Sequence, residues 1–169
     1  MFPRCSNLVK AHIASTTVYT TLAKKRVEVV HFLIQNGANN WNYGLEGACK
    51  SGCIELIQLM IQHGADDWNR GMVAACRGNF MSAVQLMIQH GANNWNRGMI
   101  AACEQNFIDI FSLMIQYGAD GWDDGFFYAC MHDSIDVVKE ILRRKSVVIA
   151  YGVEIARKNR SKKVLRFLC

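Results

Sequence analysis

The chain is expected to be all-α, about five stacked helix-turn-helix units forming a solenoid, and three observations over its 169 residues carry that expectation. A single shift of 27 residues lays the sequence over itself. The apolar residues within each copy recur with helical period. Proline occurs once, and glycine falls at the same two places in four successive copies.

The shift is read from several rows at once. Gly37-Ala38, Gly64-Ala65, Gly91-Ala92 and Gly118-Ala119 obey it, as do Trp41, Trp68, Trp95 and Trp122. Gly44, Gly71, Gly98, Gly125 and Gly152 form a third row, and Cys49, Cys76, Cys103 and Cys130 a fourth. No insertion breaks the register. Half a unit or more precedes Gly37, because Val29, Val30, Leu33 and Ile34 fall on the positions of Leu56, Ile57, Met60 and Ile61. After Arg144 only Gly152 keeps the pattern, with Ile149 at the Trp position and Lys145-Ser146 at the Gly-Ala position, as in a degenerate terminal unit. The chain therefore divides as a single repeat domain over 1–169. Its units are 10–36, 37–63, 64–90, 91–117, 118–144 and 145–169, the first and last acting as caps.

Within a unit the second helix is the clearest: Ala83, Val84, Met87 and Ile88 share one side, Gln85 and Gln89 the other. It stops at the Gly of the Gly-Ala pair, which takes a left-handed conformation at a helix C-terminus without steric cost. The first helix is expected to be the shorter, starting near Asn42, Asn69, Asn96 or Asp123 as N-caps. The turn between the helices falls on Gly52, Asn79, Asn106 and Asp133, residue types that tolerate positive φ. One such unit has too little core to fold alone and must stack on its neighbours.

The stretch from Gly52 to Asp66, Gly-Cys-Ile-Glu-Leu-Ile-Gln-Leu-Met-Ile-Gln-His-Gly-Ala-Asp, resembles the second helix and exit turn of an ankyrin repeat. Leu45, Ala48 and Cys49 match the apolar and small positions of that family's first helix, and the resemblance covers nearly the whole chain. Two departures accompany it. The unit is 27 residues against the family's 33, which removes six residues from the β-turn finger. The family's helix-start motif Thr-Pro-Leu-His reads Tyr43-Gly44-Leu45-Glu46 and Arg70-Gly71-Met72-Val73 here, and the remaining copies depart likewise. The short Gly-Ala-Asn-Asn-Trp-Asn loop is similar to ankyrin-like repeats of large DNA viruses. The resemblance implies a protein-interaction scaffold, read by the concave face of the first helices and the loops, with a location inside a (host) cell.

Charge is segregated. Residues 27–142 sum to −8, whereas 1–26 sum to +5 and 143–169 to +8. No apolar run approaches the ~20 residues of a membrane-spanning helix. The first ten residues lack the apolar stretch of a secretory signal, so reduced thiols in a cytoplasmic protein are expected, not a secreted disulfide scaffold.

Most chemistry-bearing residues are absorbed by the repeat. The four row cysteines are one unit apart, roughly 10 Å as helices pack, and read as small buried apolar residues, not metal ligands. Cys49 and Cys53 lack a second pair for zinc. His63 and His90 fall at a helix end, where capping of the last carbonyls is expected. The Trp row is expected to pack at the first-helix start and neighbouring loop, in place of the missing finger. The paired acids Asp66-Asp67 and Asp123-Asp124 sit at helix starts, where the dipole favours them. With no phosphate-cradling loop or nucleophile elbow in the chain, no enzymatic activity and no cofactor are expected.

The positions that vary between units hold the functional information. Three rows are expected to face outward from the first helix: Tyr43, Arg70, Arg97, Asp124; Gly47, Ala74, Ala101, Tyr128; and Lys50, Arg77, Glu104, Met131. Arg70, Arg77 and Arg97 form a basic centre for an acidic segment of a protein partner, with Tyr43, Phe127, Tyr128 and Met131 as apolar anchors. The alternative is nucleic acid or an anionic surface bound by Arg157, Lys158, Arg160, Lys162 and Lys163. A monomer is expected, with weak self-association through the end at Leu168-Cys169 as a third reading.

Overall fold

The computed structural model describes residues 27–169 apart from residues 33 and 38. The basic stretch at 1–26, and with it the start of the unit expected at 10–36, lies outside the described residues. All regular structure among the described residues is helical. Residues 27–32 and 34–35 are helical, and five helix pairs follow: α1 (Trp41–Ser51) and α2 (Ile54–Gln62), α3 (Trp68–Gly78) and α4 (Met81–Gln89), α5 (Trp95–Gln105) and α6 (Ile108–Gln116), α7 (Trp122–Met131) and α8 (Ile135–Arg144), α9 (Ile149–Asn159) and α10 (Lys162–Leu168).

The helix ends explain the Gly-Ala row. Gly64 has φ 98°, its N–H donates to the Ile61 carbonyl at 2.9 Å, and the Ala65 N–H donates to the Met60 carbonyl at 3.0 Å. This is the two-bond C-terminal motif that needs a left-handed residue followed by a small buried one, and Ala65 is buried. Gly91-Ala92 and Gly118-Ala119 repeat the arrangement. The inter-helix turns place Gly52, Asn79, Asn106, Asp133 and also Arg160 at positive φ, and Gly52, Asn79 and Arg160 make the same two bonds.

The helix starts differ from expectation. The first helices are the longer, 11 residues in α1, α3 and α5 against 9 in α2, α4 and α6. They begin at the Trp, so the N-cap positions are Asn40, Asp67, Asn94 and Gly121; of these Asp67 caps through its side chain, accepting the Arg70 N–H at 3.0 Å. Asn42, Asn69 and Asn96 lie inside the helix and reach across to the next unit. Asn42 Oδ1 accepts the N–H groups of Asp66 and Asp67 at 2.9 and 3.0 Å, while its Nδ2 donates to Asp66 Oδ1 at 3.0 Å. Asn69 holds Asn93 and Asn94 in the same way, and Asn96 holds Asp120 and Gly121. Asp123, the fourth member of the row, sits in the first turn of α7.

A second set of clasps runs from the inter-helix turns. Asn106 Oδ1 accepts from the Asp136 and Val137 N–H groups at 3.0 and 3.2 Å, and Asp133 Oδ1 from Lys163 and Val164 at 2.8 and 2.9 Å. These bonds satisfy first-turn donors of α8 and α10 that have no partner within their own helix. One unit's turn thus caps the next unit's second helix.

Packing is ordered by the first helices: α1 packs on α3, α3 on α5, α5 on α7 and α7 on α9, while second helices rest mainly on their own first helix. The third glycine row makes this approach possible. A Cβ on Gly71 would lie 2.6 Å from Met87 Sδ in its own unit and 3.2 Å from Cys49 Sγ in the preceding one; on Gly98 it would lie 2.5 Å from Met114 Sδ and 3.4 Å from Cys76 Sγ. The cysteine of each first helix therefore faces the glycine of the next, and Cys49, Cys76, Cys103 and Cys130 are fully buried.

Two glycines in equivalent helices predict opposite outcomes. At Gly47 nothing lies within 4 Å of an added Cβ, so Gly47→Ala should stabilise by up to about 1 kcal/mol through helix propensity. At Gly152 the Cβ would meet the buried Phe126 ring at 2.5 Å and Cys130 Sγ at 3.1 Å. Gly152→Ala should therefore destabilise by about 1–3 kcal/mol despite the same propensity gain, as read by urea denaturation of the two variants beside the parent.

Candidate functional site on the first-helix face

The outer face of the first helices carries the variable side chains, with one row shifted from expectation. Tyr43, Lys50, Arg77, Arg97 and Asp124 are exposed, and Arg70, Glu104 and Met131 half-buried. Ala74 and Ala101, expected on the surface, are buried between adjacent first helices. The row one residue earlier, Glu46, Val73, Ile100 and Phe127, is half-buried on the face instead. The close helix approach set by the glycines consumes the small-residue row and leaves its neighbour open. Tyr128 remains half-buried.

Arg70, Arg77 and Arg97 line one pocket of about 330 Å3 between α3 and α5, together with Glu46, Asn69 and Val73. Their electrostatic states differ. Arg70 lies 4.0 Å over the Tyr43 ring and bonds Glu46 Oε2 at 2.7 Å, and Tyr43 and Glu46 both favour its charged form. Arg77 Nε is 3.2 Å from Glu104 Oε2. Arg97 joins no ion pair among the described residues. The basic centre is thus partly neutralised by two glutamates, 24 and 27 residues from their arginines, whose role a reading along one helix does not reveal.

Toward α9 the face turns apolar. Phe127 stacks on Tyr151 at 5.9 Å between ring centroids and meets Tyr128 edge-on at 5.2 Å. Tyr151 is 49% exposed, and Ile149 and Val148 beside it are exposed as well. Tyr151 directly precedes Gly152 as Tyr43, Arg70, Arg97 and Asp124 precede their glycines, so the 27-residue register was the signal for it, although its unit has lost most of the other rows.

The tryptophans are half-buried; Trp41, Trp68 and Trp95 each lie against a ring at the end of their own unit's second helix, whereas Trp122 meets Phe111 of α6 edge-on at 6.2 Å. Trp41 stacks on His63 at 4.6 Å, Trp68 on His90 at 4.7 Å and Trp95 on Tyr117 at 5.0 Å. The imidazoles of His63 and His90, expected to cap carbonyls, occupy the indole faces instead. A His, His, Tyr row 22 residues after each Trp was the available signal. At the fourth position stands Arg144, which with Arg143 pairs Glu140; those two guanidinium groups lower the Glu140 pKa to about 2.

The five cations Arg157, Lys158, Arg160, Lys162 and Lys163 are all exposed, and none is in an ion pair among the described residues. Arg157 occupies the row of the buried cysteines, Arg160 the turn position of Asn106 and Asp133, and Ala150 the position of the Asn42 clasp. The unit therefore lacks the three devices with which its predecessors hold a following unit. Leu168 is half-buried and Cys169 exposed. At the opposite end an apolar hollow of about 460 Å3, lined by Val30, Ile34, Trp41, Gly44 and Met60, flanks α1.

Among the described residues no three His, Cys, Asp or Glu side chains converge to hold a metal ion. No described helix is long and apolar enough to cross a membrane. No protein-family model matches the chain, and no curated protein matches it in sequence.

Burial pushes the thiols of Cys49, Cys76 and Cys130 up to about 12 and raises that of Cys103 as well. At pH 8 iodoacetamide should label Cys169 of the folded chain within minutes and leave these four unmodified until denaturant is added. Peptide mass mapping that found labelled Cys76 or Cys103 in the folded chain would contradict the packing described.

Proposed function

We propose that the chain is a shortened ankyrin-like solenoid acting as a non-enzymatic protein-interaction scaffold, with the partner held on the concave face of its first helices. The observation that carries this reading is the pocket between α3 and α5, where three arginines converge beside Asp67 and Arg97 alone of the three is in no ion pair among the described residues. An exposed cation held beside a polar, partly apolar hollow is a site at which an acidic partner group gains a charge-assisted bond. The aromatic patch around Phe127 and Tyr151 adds the apolar surface from which binding hot spots are built. Buried free thiols fit work in a reducing compartment.

Charge reversal by Arg77→Glu with Arg97→Glu should abolish capture of the partners that the parent chain retains from its native cell, with the helical circular dichroism unchanged. Retention of every partner by a folded double variant would remove the proposal.

A second reading rests on the five cations at and around the α9–α10 turn, none of them in an ion pair among the described residues. Arg160 sits there at φ 59°, a conformation that costs a bulky residue about 1–2 kcal/mol and that other units give to Gly, Asn or Asp. A nucleic acid would neutralise these charges with release of counterions. Retention on a DNA or RNA column should then fall steeply with salt, and Arg157→Glu with Lys162→Glu should remove it. Elution at low salt equal to that of the variant would dismiss this reading.

A further inference from the structure

The first-helix face is divided along its length, and the division specifies what would fit it. Over α3 and α5 it offers a hollow with Arg97 and Arg77 at its edge. At ~30 Å3 per water its volume of about 330 Å3 holds roughly ten waters, enough for a polar side chain but too small for a helix. Over α7 and α9 it offers the Phe127–Tyr151 stack, flanked by Tyr128 and Met131. Between the two stands the exposed carboxylate of Asp124, in no ion pair among the described residues.

We infer, resting on the scaffold reading above, that the partner is recognised as an extended segment carrying a carboxylate side chain five or six residues from a bulky apolar one. The carboxylate sits on Arg97 at the α3–α5 hollow, and the apolar side chain on the Phe127–Tyr151 patch.

The spacing follows from helix packing. The hollow and the patch are two inter-helix steps apart, about 16–20 Å at 8–10 Å per step. An extended chain advances ~3.3 Å per residue, which makes the separation about five to six residues. Charge sets the direction of preference. Arg70 is already held by Glu46 and Tyr43, so the partner's carboxylate gains most at Arg97, with Arg77 close by. Asp124 disfavours a second acid in the residues between, and an intervening basic or neutral residue is accepted there.

The test is a random peptide library displayed on phage, panned on the parent chain, on Arg97→Glu and on Tyr151→Ser. The parent should enrich sequences with Asp or Glu five or six residues from an aromatic residue or Leu. Arg97→Glu should lose the acid and keep the apolar requirement, and Tyr151→Ser should do the reverse. Synthetic peptides from the parent selection, followed by fluorescence anisotropy, should bind about 10- to 100-fold more weakly to Arg97→Glu and to the milder Arg97→Gln. They should be indifferent to Lys50→Glu, a charge reversal at the far end of the same face. Thermal melts of each variant establish that it is folded. Enrichment without an acid, enrichment without fixed spacing, or equal binding to a folded Arg97→Gln would each overturn the inference. Displacement of the peptide from the parent, but not binding to Arg97→Gln, by single-stranded RNA would assign the hollow to a polyanion and overturn it too. If panning returns no binder while the native partners are still lost on reversal at Arg77 and Arg97, the extended-segment inference falls and the scaffold reading stands. If neither effect is seen, both fall.

Discussion

Everything in this stack depends on one contact, the approach of each first helix to the next where a glycine lacks a side chain and the preceding unit presents a cysteine sulfur. The row from Gly71 to Gly152 opens the space, and Cys49, Cys76, Cys103 and Cys130 fill it. A sulfur is small enough to lie against a bare backbone and apolar enough to be buried there, and the methionines of α2, α4 and α6 close the same space from within each unit. Conformational freedom is not the reason for these glycines, which lie inside helices. In the Gly-Ala row the reverse holds: nothing crowds Gly64, and only its φ of 98° requires glycine.

Close packing of the first helices decides where polar groups go. The loops are too short to form hairpins, so their backbone N–H groups need acceptors from elsewhere. Asn42, Asn69 and Asn96 supply them from the preceding unit, and Asn106 and Asp133 do the same for the starts of α8 and α10. Core contact and hydrogen bonding therefore both couple neighbours, which is the expected basis of cooperativity in a stack whose units cannot fold alone. The last unit takes part in both toward its predecessor, through Gly152 and the N–H groups of Lys163 and Val164, but its own positions for both devices are changed. Arg157, Arg160 and Ala150 replace the sulfur, the turn acceptor and the clasp.

The same contact shapes the outer face of the first helices. With Ala74 and Ala101 buried, the open surface is built from the rows of Arg70, Val73 and Arg77, which mix charged and apolar side chains. Glu46 and Glu104 pair two of the three arginines, and Arg97 is in no ion pair among the described residues. Charge on this face is set by pairing between units as much as by composition.

Periodicity by itself determined the helical class, the 27-residue unit, the glycine helix stops, the positive-φ turns and the burial of the four cysteines. Each of these follows from local sterics or from a spacing repeated in the chain, and both are visible along one dimension. Contacts across units were decided only by the tertiary structure. An asparagine beside a helix start reads as an N-cap whether it bonds its own backbone or a loop 24 residues on, and only the bonds of Asn42 tell the two apart. His63 and His90 at a helix end read as carbonyl caps until the Trp rings are placed against them. The outward row is misplaced by one residue because one residue turns a helix by about 100°, which is comparable to the width of the face it packs with, so a row at the edge of that face can be buried or open. Which side of that face meets a neighbour is set by the approach distance, a property of two helices and not of either one.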